Sequence, residues 1–236
     1  MAGDASVLDN AVWYALHGAH AHLAESTGRA ARYPAAVSVF GAIDAFDDAS
    51  WADLAALDAP GPTAVLFRGD VPAPPPGWKV AFGGEGNQMV LDELVPAPVP
   101  KARRLGADDV EQMLDLVART RPGPFGPRTI ELGAYHGVFD GDRLVAMAGE
   151  RLRVPGFTEV SAVCTAPEAR GRGLASGLTT LVAHDILERG EVPFLHHAHD
   201  NHDARRVYER LGFRYRRHVT FVSFRSDTSA HATAHS

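Results

Sequence analysis

The sequence predicts an α+β protein, a mixed sheet flanked by helices, and three observations carry that expectation. Residues 135–139, 144–152 and 158–165 read as three successive strands, the first two joined by the turn Asp140-Gly141-Asp142. Residues 170–189 then place Leu174, Leu178, Leu181 and Val182 at helical spacing. A strand at 193–198, a helix at 203–211 and a strand at 215–224 complete the alternation.

Upstream, residues 10–25 carry Val12, Leu16, Ala19 and Leu23 on one helical face, with Asp9 or Asn10 as the cap. Short strand-like runs follow at 37–40, 63–67 and 78–82, with a helix near 51–57. The glycine-rich GGEGNQ at 83–88 reads as a turn, because no clear helix follows it. The proline cluster at 95–100 marks the expected boundary between an N-terminal α/β region, residues 1–100, and a domain at 101–226. That domain opens with a helix at 107–120 whose face is Val110, Met113, Leu114 and Val117, followed by the loop RPGPFGPRT at 121–129. The tail 227–236 has too few large apolar residues to pack and is expected to be disordered.

Composition narrows the function. The 236 residues are 45% hydrophobic, enough for a sizeable core, and no apolar run is long enough to span a bilayer. One cysteine, Cys164, and no visible signal peptide lead to the expectation of a soluble cytoplasmic protein without membrane partners. The net charge of −6 argues against nucleic-acid binding, yet it divides into −8 over residues 1–100 and +2 over the rest. A modest basic surplus suits a small polyanion.

The segment 159–182 says where that anion would sit. A strand runs through Pro167 into Arg170-Gly171-Arg172-Gly173-Leu174-Ala175, which opens a helix. Glycines let a ligand approach the backbone, and the unpaired first amides of the helix favour a pyrophosphate. A tight packed turn would also explain the glycines. The dinucleotide fingerprint fails for want of a third glycine, Ser176 standing in its place, and no GK[ST] follows for a P-loop.

This turn resembles the [Q/R]xxGx[G/A] motif of the GNAT superfamily of N-acetyltransferases. A second match lies about 28 residues on, where Asn201, Ala204, Val207, Tyr208, Gly212 and Phe213 resemble the family's N-x-x-A-x-x-hydrophobic-Tyr-x-x-x-Gly-Phe pattern. The resemblance covers roughly 125 residues. It implies the acyl-coenzyme A N-acyltransferase fold and transfer of an acetyl group from acetyl-coenzyme A to a primary amine of a small molecule or peptide. It implies that the backbone of Arg170, Gly171, Arg172, Gly173, Leu174 and Ala175 holds the pyrophosphate, and that Val163, Cys164 and Thr165 pair with the pantetheine arm. Asn201 would bond that arm, Ala204 would contact the coenzyme, and the Tyr208 hydroxyl would protonate the leaving thiolate. Residues 1–100 then suggest a degenerate acetyltransferase-like half, with a structural role or as one wall of the acceptor pocket.

For the base, Glu159 matches the position of the carboxylate in the histone-acetylating branch, and Glu150 is the rival because a carboxylate in an apolar run demands a partner or a purpose. Water without a dedicated base is a third route. Phe125, in the proline-stiffened loop, and Glu131 after it occupy the region that covers the family's acceptor pocket. The run of His196, His197, His199 and His202 lacks a metal-binding partner motif, so no metal is expected. His17, His20 and His22 read as incidental, as do His231 and His235. A homodimer is left open, as is a non-catalytic acyl-coenzyme A sensor on the same fold.

Overall fold

A computed structural model describes residues 3–57 and 64–226. Among them, eleven strands form one sheet in the order β1-β2-β3-β4-β11-β5-β10-β9-β8-β7-β6. The strands are β1 (Glu25–Thr27), β2 (Ala30–Arg32), β3 (Phe40–Ile43), β4 (Val65–Arg68), β5 (Trp78–Leu91), β6 (Arg103–Arg104), β7 (Tyr135–Asp140), β8 (Arg143–Val154), β9 (Phe157–Thr165), β10 (Val192–Ala198) and β11 (Phe213–Ser226). The helices are α1 (Ala11–Leu16), α2 (Asp48–Leu57), α3 (Val110–Thr120), α4 (Leu174–Glu188) and α5 (His202–Arg210). β9 pairs parallel to β10 through the crossover helix α4, and β3 pairs parallel to β4; the other pairings are antiparallel.

Two cores flank the sheet. On one face α3, α4 and α5 bury Met113, Leu116, Leu178, Val182 and Tyr208 against Met147, Val160 and Leu195. On the other, the N-terminal segment covers the sheet with Leu8, Val12, Leu16, Phe40 and Phe67 against Leu152, Phe157 and Phe194. Burying each such side chain contributes about 1.5–3 kcal/mol. A third cluster, at the far end, joins Trp51 of α2 to Trp78 and Phe224, whose ring meets Trp51 edge-on at 5.0 Å.

Several expectations change. The boundary near residue 100 does not separate two sheets: β5 comes from the N-terminal part and lies between β10 and β11. The proline cluster is packed, not free. Ala97 donates its backbone N–H to the Thr180 hydroxyl of α4, and a Cβ on Gly177 would lie 2.4 Å from the Pro98 carbonyl oxygen. GGEGNQ is strand, part of β5; a Cβ on Gly86 would lie 2.9 Å from both the His197 carbonyl oxygen and the Phe221 ring. Glycine there makes room for neighbours, which no local pattern reveals. The first helix is broken into a 3-10 turn at Ala5–Asn10, α1, and a second 3-10 turn at Ala21–Leu23. α3 buries Leu116 in place of Leu114. His20 is buried, its Nδ1 2.8 Å from the Tyr33 hydroxyl. Thr63, the tail 227–236, His231 and His235 lie outside the described residues.

Candidate active site

The glycine turn has the conformation that phosphate binding needs. Gly171 and Gly173 adopt φ of 77° and 73°, the left-handed region that side chains disfavour, and a Cβ on either would meet nothing within 4 Å. The cradle is open. α4 begins directly after it with no side-chain cap, and its first intrahelical bond runs from the Gly177 N–H to the Gly173 carbonyl. The amides of Leu174, Ala175 and Ser176 therefore have no partner within the helix, at the end where the helix dipole favours an anion. Arg170 lines the cleft beside them, whereas exposed Arg172 turns toward Asp140, 3.9 Å away.

From this turn a cleft of about 740 Å³ runs between β9 and β10. Two features open it. β9 pairs with β10 only as far as Val160 with Leu195. Just beyond, Ala162 and Val163 stand opposite Ala148 alone, between the pairs Gly149–Ser161 and Met147–Cys164, with Ala162 at φ 52°. This bulge bends β9 away from its parallel neighbour. Val163, Cys164 and Thr165 line the gap, and β10 does not take up their main-chain groups.

Tyr208 closes the same cleft from α5, and its hydroxyl makes no hydrogen bond to a described residue. Burial, with a smaller contribution from Cys164, pushes its pKa up to about 12, so it stays protonated at neutral pH. Burial likewise raises the Cys164 thiol to about 11, which leaves it unreactive. Asn201 and Ala204 line the cleft as well, but the Asn201 carboxamide oxygen caps α5 by accepting the Ala204 N–H at 3.0 Å. Its NH₂ group is left to meet a ligand.

Neither carboxylate is placed as a free base. Glu159 is fully buried, accepting bonds from Arg151 Nε at 2.8 Å and Nη2 at 2.5 Å, with His196 Nδ1 at 2.7 Å. Burial alone would raise its pKa, but the Arg151 guanidinium and then His196 outweigh that and hold it at about 2. Glu150 is the neighbour of Arg151 on β8, yet it bonds Arg189 at the end of α4, at 2.8 Å, and does not line the cleft. Arg151 does line it. Sequence reading passed over this residue, although its signal was the charged pair Glu150-Arg151 inside an apolar strand.

The polar row continues across the sheet. His196 Nε2 lies 3.0 Å from the Gln88 side-chain nitrogen, and Gln88 accepts from Arg216 at 2.7 Å and donates to the Leu8 carbonyl at 3.1 Å. Phe67 packs on the His196 ring at 4.2 Å, and Arg151 sits 4.9 Å over Phe40. The N-terminal region thus seals the row from water.

The loop after α3 reaches the cleft through Arg121 and Pro122, and a small adjoining cavity is lined by Pro124, Phe125 and Tyr135. Phe125 meets Tyr135 edge-on at 5.7 Å, as a wall should. The loop is clamped to the N-terminal region: Arg128 donates its N–H to the Ala36 carbonyl, and the Thr129 hydroxyl donates to that of Val37. Glu131 is away from both cavities, paired with Arg128 at 2.6 Å. The histidine run does not converge. His196 faces Glu159, His197 holds the Ala198 carbonyl, and His199 meets the His218 ring at 5.6 Å. Among the described residues, only His184, Asp185 and Glu188, on the outside of α4, bring three metal-type ligands together, and Asp185 is already bonded to His136. No described helix is long and apolar enough to cross a membrane.

A mixed sheet split beside a helix whose first amides face the gap is the architecture of an acyltransferase, and comparison with known proteins agrees. The chain belongs to the GNAT family of N-acetyltransferases. It is 39% identical to a protein of Novosphingobium aromaticivorans described as a GNAT-family acetyltransferase, covering 93% of this chain and 98% of that one with a TM-score of 0.84. The family model for FR47-like proteins matches residues 135–222. Two remoter structures share the fold: a GNAT acetyltransferase of Colwellia psychrerythraea at 14% identity, TM-score 0.51, covering 62% of this chain and 58% of that one, and a Drosophila protein at 16%, TM-score 0.54, covering 64% and 54%. No curated protein matches the sequence.

Proposed function

We propose that the protein transfers the acetyl group of acetyl-coenzyme A to a primary amine of a small molecule, by direct attack in a ternary complex. The observation that carries this is the single cleft joining the open glycine turn, the unpaired edge of β9 and Tyr208. The turn and the first amides of α4 suit a pyrophosphate, and the gap between β9 and β10 suits an extended arm lying along β9. The amine nitrogen attacks the thioester carbon, the C–S bond breaks, and the sulfur takes its proton from the Tyr208 hydroxyl. The proton lost by the amine goes to water in the cleft, since Glu159 is committed to Arg151 and His196, and Glu150 to Arg189.

The reading is tested by calorimetry with acetyl-coenzyme A, followed by a thiol-release assay over a panel of amines. Binding with turnover supports it. Binding without turnover of any amine would make the protein a sensor of acyl-coenzyme A, and the absence of binding would remove the site.

A further inference from the structure

Among the residues that line the cavity beside the cleft, Tyr135 and Arg151 each leave a hydrogen-bond donor without a partner among the described residues. Tyr135, Gly149 and Ser161 are cross-strand partners on β7, β8 and β9, so they share one face of the sheet. Gly149 has no side chain, and the Tyr135 ring lies over it: a Cβ there would fall 2.2 Å from the ring. The ring is 1% exposed, and its hydroxyl is buried without a partner among the described residues. A buried hydroxyl left unbonded costs about 1–3 kcal/mol, which a ligand can recover. Arg151 lies two residues along β8 on the same face and lines both the cavity and the main cleft. Its Nε and Nη2 are bound to Glu159, while Nη1 makes no hydrogen bond to a described residue.

The surroundings decide what these donors would hold. Pro122, Pro124 and Phe125 supply an apolar wall. No carboxylate lines this cavity, for Glu159 lies behind the guanidinium and Glu131 is turned away to Arg128. Tyr135 and Arg151 both line this space of about 10 Å³, room for one small group, so a phenol O–H and a guanidinium N–H there match the oxygens of a carboxylate whose carbon chain stays in the main cleft. Because Arg151, Ser161 and Ala162 line both spaces, the subsite adjoins the bulge of β9, where the proposed transfer occurs. The amine and the carboxylate of the acceptor are therefore separated by few bonds.

The geometry points to an acceptor subsite in which Arg151 and Tyr135 grip a carboxylate, so that the acceptor is an α-amino acid with an uncharged side chain. This rests on the acetyl-transfer reading above and narrows its substrate class. The test compares L-phenylalanine, L-phenylalaninamide and phenethylamine as acceptors for the full chain. The expected kcat/KM favours the amino acid about 10- to 100-fold over the other two, the range for a hydrogen bond to a charged group. Tyr135→Phe should raise KM for phenylalanine about 10-fold, leaving phenethylamine kinetics and acetyl-coenzyme A affinity unchanged and Tm no lower. Arg151→Lys, which keeps a cation beside Glu159, should reduce the same preference.

A second arm needs no turnover: N-acetylphenylalanine should bind the protein together with coenzyme A more tightly than N-acetylphenethylamine, and Tyr135→Phe should remove the difference. Equal use of all three acceptors, or equal binding of the two products, overturns the carboxylate site. A preference that survives both substitutions does so as well. Failure of every amine to react, with the product-binding difference intact, overturns the transfer reading and leaves the site standing.

Discussion

At the scale of single residues, burial and pairing separate the groups that can react from those that hold the structure. Tyr208 is protonated, in the cleft and without a hydrogen-bond partner among the described residues, so Tyr208→Phe should lower kcat about 100-fold while calorimetry finds coenzyme affinity unchanged. Wild-type turnover would remove it as the acid. Glu159 presents the opposite case. Glu159→Gln strands the Arg151 cation in the interior, a change that costs about 3–5 kcal/mol where one partner of a buried pair is removed. At about 2–4 °C per kcal/mol for a chain of this size, Tm should fall by about 10 °C. The pH–rate profile should keep its shape, rising with the fraction of neutral amine; loss of an acidic limb in the variant would restore Glu159 as the base.

At the scale of elements, function follows from how strands and helices begin and end. β9 loses its parallel neighbour after Val160, bulges at Ala162, and delivers the chain to a turn that only glycines fit easily before α4 starts. Gly173→Asp forces a side chain into a left-handed backbone and sets a negative charge before the α4 amides. Acetyl-coenzyme A affinity should be lost in calorimetry while the circular dichroism spectrum stays native. Retained affinity would show that the anion binds elsewhere.

At the scale of the whole molecule, the N-terminal hundred residues belong to the same sheet as the family motifs. β5 lies between β10 and β11, and its removal would leave both without a partner on that side. Deleting residues 1–100 should therefore yield no protease-resistant domain; a stable fragment 101–236 would contradict the single sheet. The buried titrating groups also predict how the molecule responds to acid. His20 is neutral in the fold: burial, and then the charge of His22, lower its pKa from 6.5 to about 4. The unfolded chain takes up that proton first, so stability is full above pH 6.5 and falls by about 3 kcal/mol as the pH drops to 4. Burial likewise lowers His196, against the pull of Glu159, and acts in the same direction. Glu159 contributes stability above pH 4.5 that is lost toward pH 2. Denaturant titrations between pH 7 and 3 should thus show a steady decline beginning near 6.5. A flat profile down to pH 5 would mean that His20 is not buried as a neutral ring.

The amino-acid sequence by itself determined the features that depend on near neighbours. Periodic apolar spacing marked α4 and the strands from β7 to β11, and the glycine turn and the Asn201–Tyr208 spacing identified the family, because helix faces and left-handed turns are written in a few adjacent residues. Tertiary structure alone decided the matters that depend on distant residues. The pairing of Arg151 and Glu159 across two strands turned an expected base into a buried ion pair. The packing of the proline cluster against Gly177 turned an expected domain boundary into part of the body, and Phe221 over Gly86 turned an expected turn into a central strand. In each case the partner lies far along the chain, and the energy that fixes the conformation comes from that contact and not from local preference.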